Sequence, residues 1–148
     1  MAGEIADGAL SWLCPVPYLR HTGLPALRKG AAIAGRSASP PPLVAHVLVA
    51  LTTDHHLAMA AGHQLMDMYT RYPFYVKMFT SAGFPTTLGS AAPDTLVDSL
   101  VISGNEDTVT ARFSELLASG LDELMVTLLP IADTGDEQFR LMDSIVEL

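Results

Sequence analysis

Apolar and polar positions along this chain follow two rhythms: short unbroken apolar runs, and longer stretches with helical spacing. Residues 9–13, 43–51 and 123–129 are mostly apolar, β-branched or aromatic, the pattern of strands covered on both faces in a parallel sheet. Between them Leu24, Leu27, Ala31 and Ala34 recur at helical spacing, and Leu57, Ala61, Leu65, Met68 and Tyr72 make a second stripe. Val109, Phe113, Leu116 and Leu117 make a third, with Gly120 as its C-terminal stop. A last helix is expected to turn Phe139, Met142, Ile145 and Val146 toward a core. Ser103 to Glu106 and Thr134 to Glu137 fit the capping-box pattern, and Asp54 stands where it can cap the helix after the second strand.

Strands alternating with helices imply right-handed crossovers and an α/β layer structure. Residues 37–42 read as a short Pro/Ser linker inside one domain of 148 residues, a length that can bury a real core. The stretch between the second and third predicted strands is longer than one crossover needs, and long connections of that kind are usually functional. Short helices are expected within it over 75–82 and 93–100.

Composition narrows the possible partners. Hydrophobic residues make up 49% and charged residues 16%, which is a globular composition. Sixteen acidic against eight basic side chains give a formal charge of -8, which repels nucleic-acid backbones and anionic membrane surfaces. The single cysteine, Cys14, permits no intrachain disulfide and fits a reducing compartment. Glu4 and Asp7 stand where an export signal needs cations, and no apolar run approaches the ~20 residues of a membrane span, so the expectation is a cytoplasmic protein off the membrane.

Several side chains invite chemical readings. His56, His63 and Asp67 fall near one face of the second helix beside His55, but the pattern lacks a metal-binding motif and reads as a solvated helix start, so no metal is expected. Cys14 reads as a small buried thiol rather than a nucleophile. His46 lies inside a buried strand and reads as a hydrogen-bonded core histidine. Asp7 reads as a group that satisfies backbone donors at a turn. Gly3, Gly8 and Gly104 form neither a dinucleotide fingerprint nor a phosphate loop.

The segment Ala2-Gly3-Glu4-Ile5-Ala6-Asp7-Gly8 precedes the first strand. Much later Ile102-Ser103-Gly104-Asn105-Glu106-Asp107-Thr108-Val109 opens a helix that ends in Ala118-Ser119-Gly120-Leu121-Asp122-Glu123-Leu124. In this order and spacing the chain resembles the bacterial luciferase-like family of flavin- and coenzyme F420-dependent oxidoreductases. The Trp12 turn and Tyr72-Pro73-Phe74-Tyr75 resemble its F420-using branch. That family folds as a (β/α)₈ barrel, which typically needs ~250 residues and carries its active site at the C-terminal ends of the strands.

The resemblance implies an α/β partial TIM barrel made of the last three βα units, strands six to eight. It also implies that the catalytic side chains come from earlier strands and that the phosphate-gripping loop lies upstream of Met1. Residues at the strand ends would then rim the site: Trp12, Leu13 and Cys14, with Leu51, Thr52 and Thr53, and with Leu129 and Pro130. Trp12 could stack near a flat cofactor ring, or it could be plain packing. Tyr69, Tyr72 and Tyr75, with Phe74, could close over the mouth and exclude water, or could simply pack a surface helix.

The activity implied is hydride transfer between reduced F420 or flavin mononucleotide and a small organic substrate. The alternative is a non-catalytic partial barrel that acts as an assembly fragment. Three strands in chain order with helices on one side leave two open edges and an uncovered apolar layer. A homo-oligomer, or pairing with an N-terminal half, is therefore expected.

Overall fold

The computed structural model describes residues 1–132 and 134–145. Helix α1 (Ala2–Ile5) leads into strand β1 (Ala9–Leu10), and β2 (Leu43–Ala50) forms the centre of a parallel sheet with β3 (Val101–Ser103) and β4 (Glu123–Leu128). Val44 pairs with both Leu10 and Glu123, and Leu48 with both Val101 and Thr127. A strand has two edges, so β4 occupies one edge of β2, and β1 and β3 lie end to end along the other. The three expected strands thus follow chain order, with β3 as an additional short strand. β1 is shorter than the apolar run 9–13 suggests, because the chain leaves the ladder after the Ser11 N–H reaches Val44 O at 2.9 Å.

Side-chain alternation on β2 splits the core in two. Leu43, Ala45, Val47 and Val49 face one layer with Leu24 and Leu27 of α3 (Leu24–Ile33), Val109, Phe113 and Leu116 of α7 (Glu106–Ala118), and Leu141 of α8 (Thr134–Ile145). Leu48 and Ala50 face the other, with Ala58 and Met66 of α4 (His55–Tyr69), Phe79 of α5 (Pro73–Ser81), and Leu96, Val97 and Leu100 of α6 (Asp94–Leu100). Helices therefore cover both faces, which corrects the expectation of a one-sided arc with a bare apolar layer. The long connection between β2 and β3 supplies the second cover. It lies over the C-terminal half of β2 and over Leu13 and Leu129, whereas Leu10, at the other end of that face, is 58% exposed.

Each stripe departs in part from its sequence pattern: Ala34 lies just beyond α3 and is exposed, Leu117 of α7 is exposed, and α4 and α8 differ more. On α4 the buried residues are Ala58, Gly62 and Met66, while Leu57 and Met68 are exposed, as is Tyr72 beyond the end of the helix. Small residues face inward because Gly62 approaches α6 too closely for anything larger: an added Cβ would lie 2.5 Å from Val97 Cγ1. On α8, Phe139 and Met142 are exposed, and Glu137 and Leu141 are buried instead. Ile145 is half-buried, and Val146 lies outside the described residues. Glu137 turns inward because its carboxylate accepts the N–H groups of Ile131 and Ala132 at 3.2 and 3.0 Å. The cap of α7 is Asn105, whose Oδ1 accepts Thr108 N–H at 3.0 Å, rather than the expected Ser103.

A continuous helical stretch from Val16 to Ile33 contains a π-helical turn at Leu19–Gly23 between α2 (Val16–Tyr18) and α3. Pro25 has no N–H to continue an α ladder, and the Leu24 N–H bonds Leu19 O across the wider turn.

Candidate functional site

The turn after β1 and the middle of β2 bring together Trp12, Leu13, Cys14 and His46, with Tyr69 of α4 and Thr127 of β4 beside them. Beyond Ser11 the chain turns sharply, and Leu13 has φ of 51°, the left-handed region that a branched, bulky residue rarely enters. Leu13 is buried, and its N–H donates to His46 Nδ1 at 3.3 Å. That bond makes Nδ1 the acceptor, so the ring proton resides on Nε2, which donates to Thr127 Oγ1 at 2.9 Å. The His46 N–H in turn donates to Ser11 Oγ at 3.2 Å. Burial lowers the His46 pKa, so the imidazole is neutral at physiological pH.

The Trp12 indole lies flat on this imidazole, with ring centres 4.1 Å apart and planes 11° apart. Its Nε1–H donates to the Tyr69 hydroxyl at 3.0 Å. Trp12 remains 40% exposed. Tyr69 begins a chain of rings: Tyr75 sits edge-on to it at 4.9 Å, and Tyr72, Phe74 and Phe79 surround Tyr75. Burial raises the Tyr75 pKa, with Tyr69 and Cys14 adding to the effect.

The remaining rim residues have structural tasks. Cys14 Sγ donates to Met78 Sδ at 3.1 Å, and burial raises its pKa against the opposing effect of the Trp12 backbone. Cys14 is half-buried rather than buried as expected, because it lies at the edge of a groove. Thr52 Oγ1 accepts Asp54 N–H at 3.0 Å and fixes the turn into α4, whereas Thr53 is exposed. Leu51 and Leu129 are buried in the two cores. Asp7 is exposed.

On α4, His63 Nε2 bonds Asp94 at 2.9 Å, and His55 faces Asp98 at 4.0 Å. These contacts fasten α4 to α6. Among the described residues no three His, Cys, Asp or Glu side chains converge as metal ligands.

A groove of about 560 Å³ opens in the gap between β1 and β3, with Cys14, His46, Val47, Leu100 and Ile102 among its walls. The helix starts that follow the strands are poor anion sites. Asp54 caps α4, Glu106 and Asp107 open α7, and Asp136 and Glu137 open α8. At α2, Pro15 and Pro17 carry no N–H, which removes two of the donors that a phosphate would use.

Sequence reasoning did not single out Ser11 or Thr127 as partners of His46. Their signal was present: each is a lone polar residue within or beside an apolar run, and a buried histidine needs partners.

The luciferase-like monooxygenase family model matches residues 1–123. The chain therefore belongs to the luciferase-like monooxygenase family, a family of oxidoreductases whose members commonly use flavin or F420. Among curated proteins none matches it. No helix of the described residues is long and apolar enough to cross a membrane.

Proposed function

We propose that this chain is the strand-six-to-eight part of a luciferase-like oxidoreductase. Its reaction is hydride transfer between reduced deazaflavin F420 or reduced flavin and a small organic substrate, in the cytoplasm. The family match over residues 1–123 carries this reading. The parallel β1, β2 and β4 in chain order support it, as does the gathering of Trp12, which follows β1, with Tyr69 of α4 and Thr127 of β4 around His46 in the middle of β2.

The residues present fit one part of such a cofactor and not the other. Trp12, backed by His46 and tied to Tyr69, offers a flat partly open surface suited to a planar ring. The acid-capped or proline-bearing helix starts offer no cradle for the phosphate. The bound cofactor would supply the hydride chemistry, while these residues would orient the ring and, through Tyr69, Tyr72 and Tyr75, screen it from water.

The test is a chimera in which this chain replaces the last three βα units of a luciferase-like host, assayed by loss of reduced-cofactor absorbance with substrate. Turnover that falls on Trp12→Ala is the expected result. A folded chimera that binds cofactor yet transfers no hydride would contradict the reading.

A second reading, an assembly fragment without catalysis, draws on the second edge of β4, which among the described residues pairs only with β2. The apolar groove beside that edge, walled by Phe113, Leu117, Leu124, Val126 and Ile145, favours it.

A further inference from the structure

We propose that His46 is a positioning residue for the strand-end rim. In its Nε2–H tautomer it holds Leu13 in the left-handed turn and Trp12 in plane, and a proton taken up at Nδ1 releases both. The inference goes beyond the reading of function and needs no cofactor.

Leu13 is the only non-glycine residue with positive φ among those described. Such a conformation persists when surrounding contacts over-determine it, and here the contact is specific: the Leu13 N–H points at His46 Nδ1. The opposite ring nitrogen is engaged by Thr127 Oγ1, and the ring face by the Trp12 indole. One imidazole therefore fixes backbone, side chain and neighbouring strand together. Protonation at Nδ1 would set an N–H against the Leu13 N–H, exchanging a hydrogen bond for a donor–donor clash beside a strained turn.

The ionisable neighbours do not offset that cost. Cys14, Asp98, Arg112 and Glu115 share the groove with His46; Tyr69 stands behind Trp12; and Glu123 lies farther along the same sheet face. Arg112 and Glu115 pair with each other at 2.6 Å. No carboxylate of the described residues forms an ion pair with the His46 ring. Burial accordingly lowers its pKa below the ordinary 6.5. The linkage sign follows: the support is fully present above 6.5, where the ring is neutral in both folded and unfolded chains, and is lost as pH falls from there through the lowered folded value.

Trp12 is the only tryptophan, so its emission reports this site alone. The full chain is titrated from about pH 8 to about pH 5, the span over which imidazoles change charge. Trp12 emission and its quenching by acrylamide are followed, with far-UV circular dichroism as the check on folding. The expected result is a one-proton transition below 6.5 in which emission shifts red and acrylamide access rises while the far-UV signal holds. In His46→Gln the transition should be absent, with Trp12 more accessible than in the parent at neutral pH. A loss of intensity with unchanged wavelength and access would mean contact quenching without release, and would overturn the proposal. A transition that survives in His46→Gln would also overturn it. If that variant does not fold, the wavelength and access profile of the parent chain decides alone.

Discussion

Gly62 lies so close to Val97 that a Cβ on it would sit 2.5 Å from Val97 Cγ1 and 2.9 Å from Val101 Cγ2. This contact sets the distance between α4, α6 and β3, and so the position of the cover over the strand ends. Val97 is fully buried and β-branched, so it cannot swing away cheaply. Gly62→Ala gains up to ~1 kcal/mol of helix propensity but meets overpacking of about 1–3 kcal/mol. Urea unfolding should show net destabilisation, largely recovered in the double variant with Val97→Ala. Stabilisation by the single change would mean that α4 stands farther from α6.

Glu137 gives a second stability test. Its buried carboxylate accepts the N–H groups of Ile131 and Ala132, and removing it leaves both without that acceptor. Glu137→Ala should cost about 1–3 kcal/mol in denaturant unfolding, and Glu137→Gln, which keeps one acceptor oxygen, should cost less. Equal stability of all three proteins would contradict the assignment.

Acid sensitivity between α7 and α8 should depend on Glu106. The Arg140 guanidinium, bonded to Glu106 at 2.5 Å, holds that carboxyl below the ordinary glutamate value. A lowered folded pKa contributes stability above the unfolded value of 4.5 and loses it as pH falls through the folded one. The difference between the parent and Arg140→Ala, measured by thermal melts, should shrink in that acid window and also with added salt. A difference independent of pH would assign the effect to packing of the arginine stem.

How much of this was legible in the sequence differs by element. The runs that became β2 and β4 were legible because they are long and apolar: β2 feeds both cores, and Leu124, Val126 and Leu128 of β4 pack on one of them. The helix of Val109, Phe113, Leu116 and Leu117 was legible because the first three face the core, although Leu117 is exposed. The α4 stripe was misread in part: sequence hydrophobicity rewards Leu57 and Met68, which are exposed, whereas the close approach of Val97 demands Gly62 on the inner face; Ala61 and Leu65 do pack on the core. β3 was hidden because three residues carry too little periodicity, and its pairing with β2 is set by tertiary contact. At the site, Trp12 and Tyr69 were singled out separately in the sequence, but the hydrogen bond that joins them and the stacking of Trp12 on His46 were not. Nor was the turn at Leu13, because only the distant His46 stabilises it.

The edge of β4 should drive self-association. Residues 123–128 present a strand with no proline and no lysine, and its only charge is Glu123 at the start. Sedimentation at micromolar concentration should show oligomers that dissociate in Met125→Lys, a charge set into the free edge strand. A parent chain that stays monomeric would show that the edge is protected in solution.

The central claim is that this chain offers the ring side of a flavin or F420 site without a phosphate cradle. The direct measurement is quenching of Trp12 emission by flavin mononucleotide and by riboflavin, its phosphate-free counterpart. Weak quenching, unsaturated at micromolar ligand and equal for the two, is expected, because acidic side chains and prolines at the helix starts leave no set of converging donors for the phosphate. Saturable micromolar binding of flavin mononucleotide, about tenfold or more tighter than riboflavin and so worth at least ~1.4 kcal/mol to the phosphate, would contradict it.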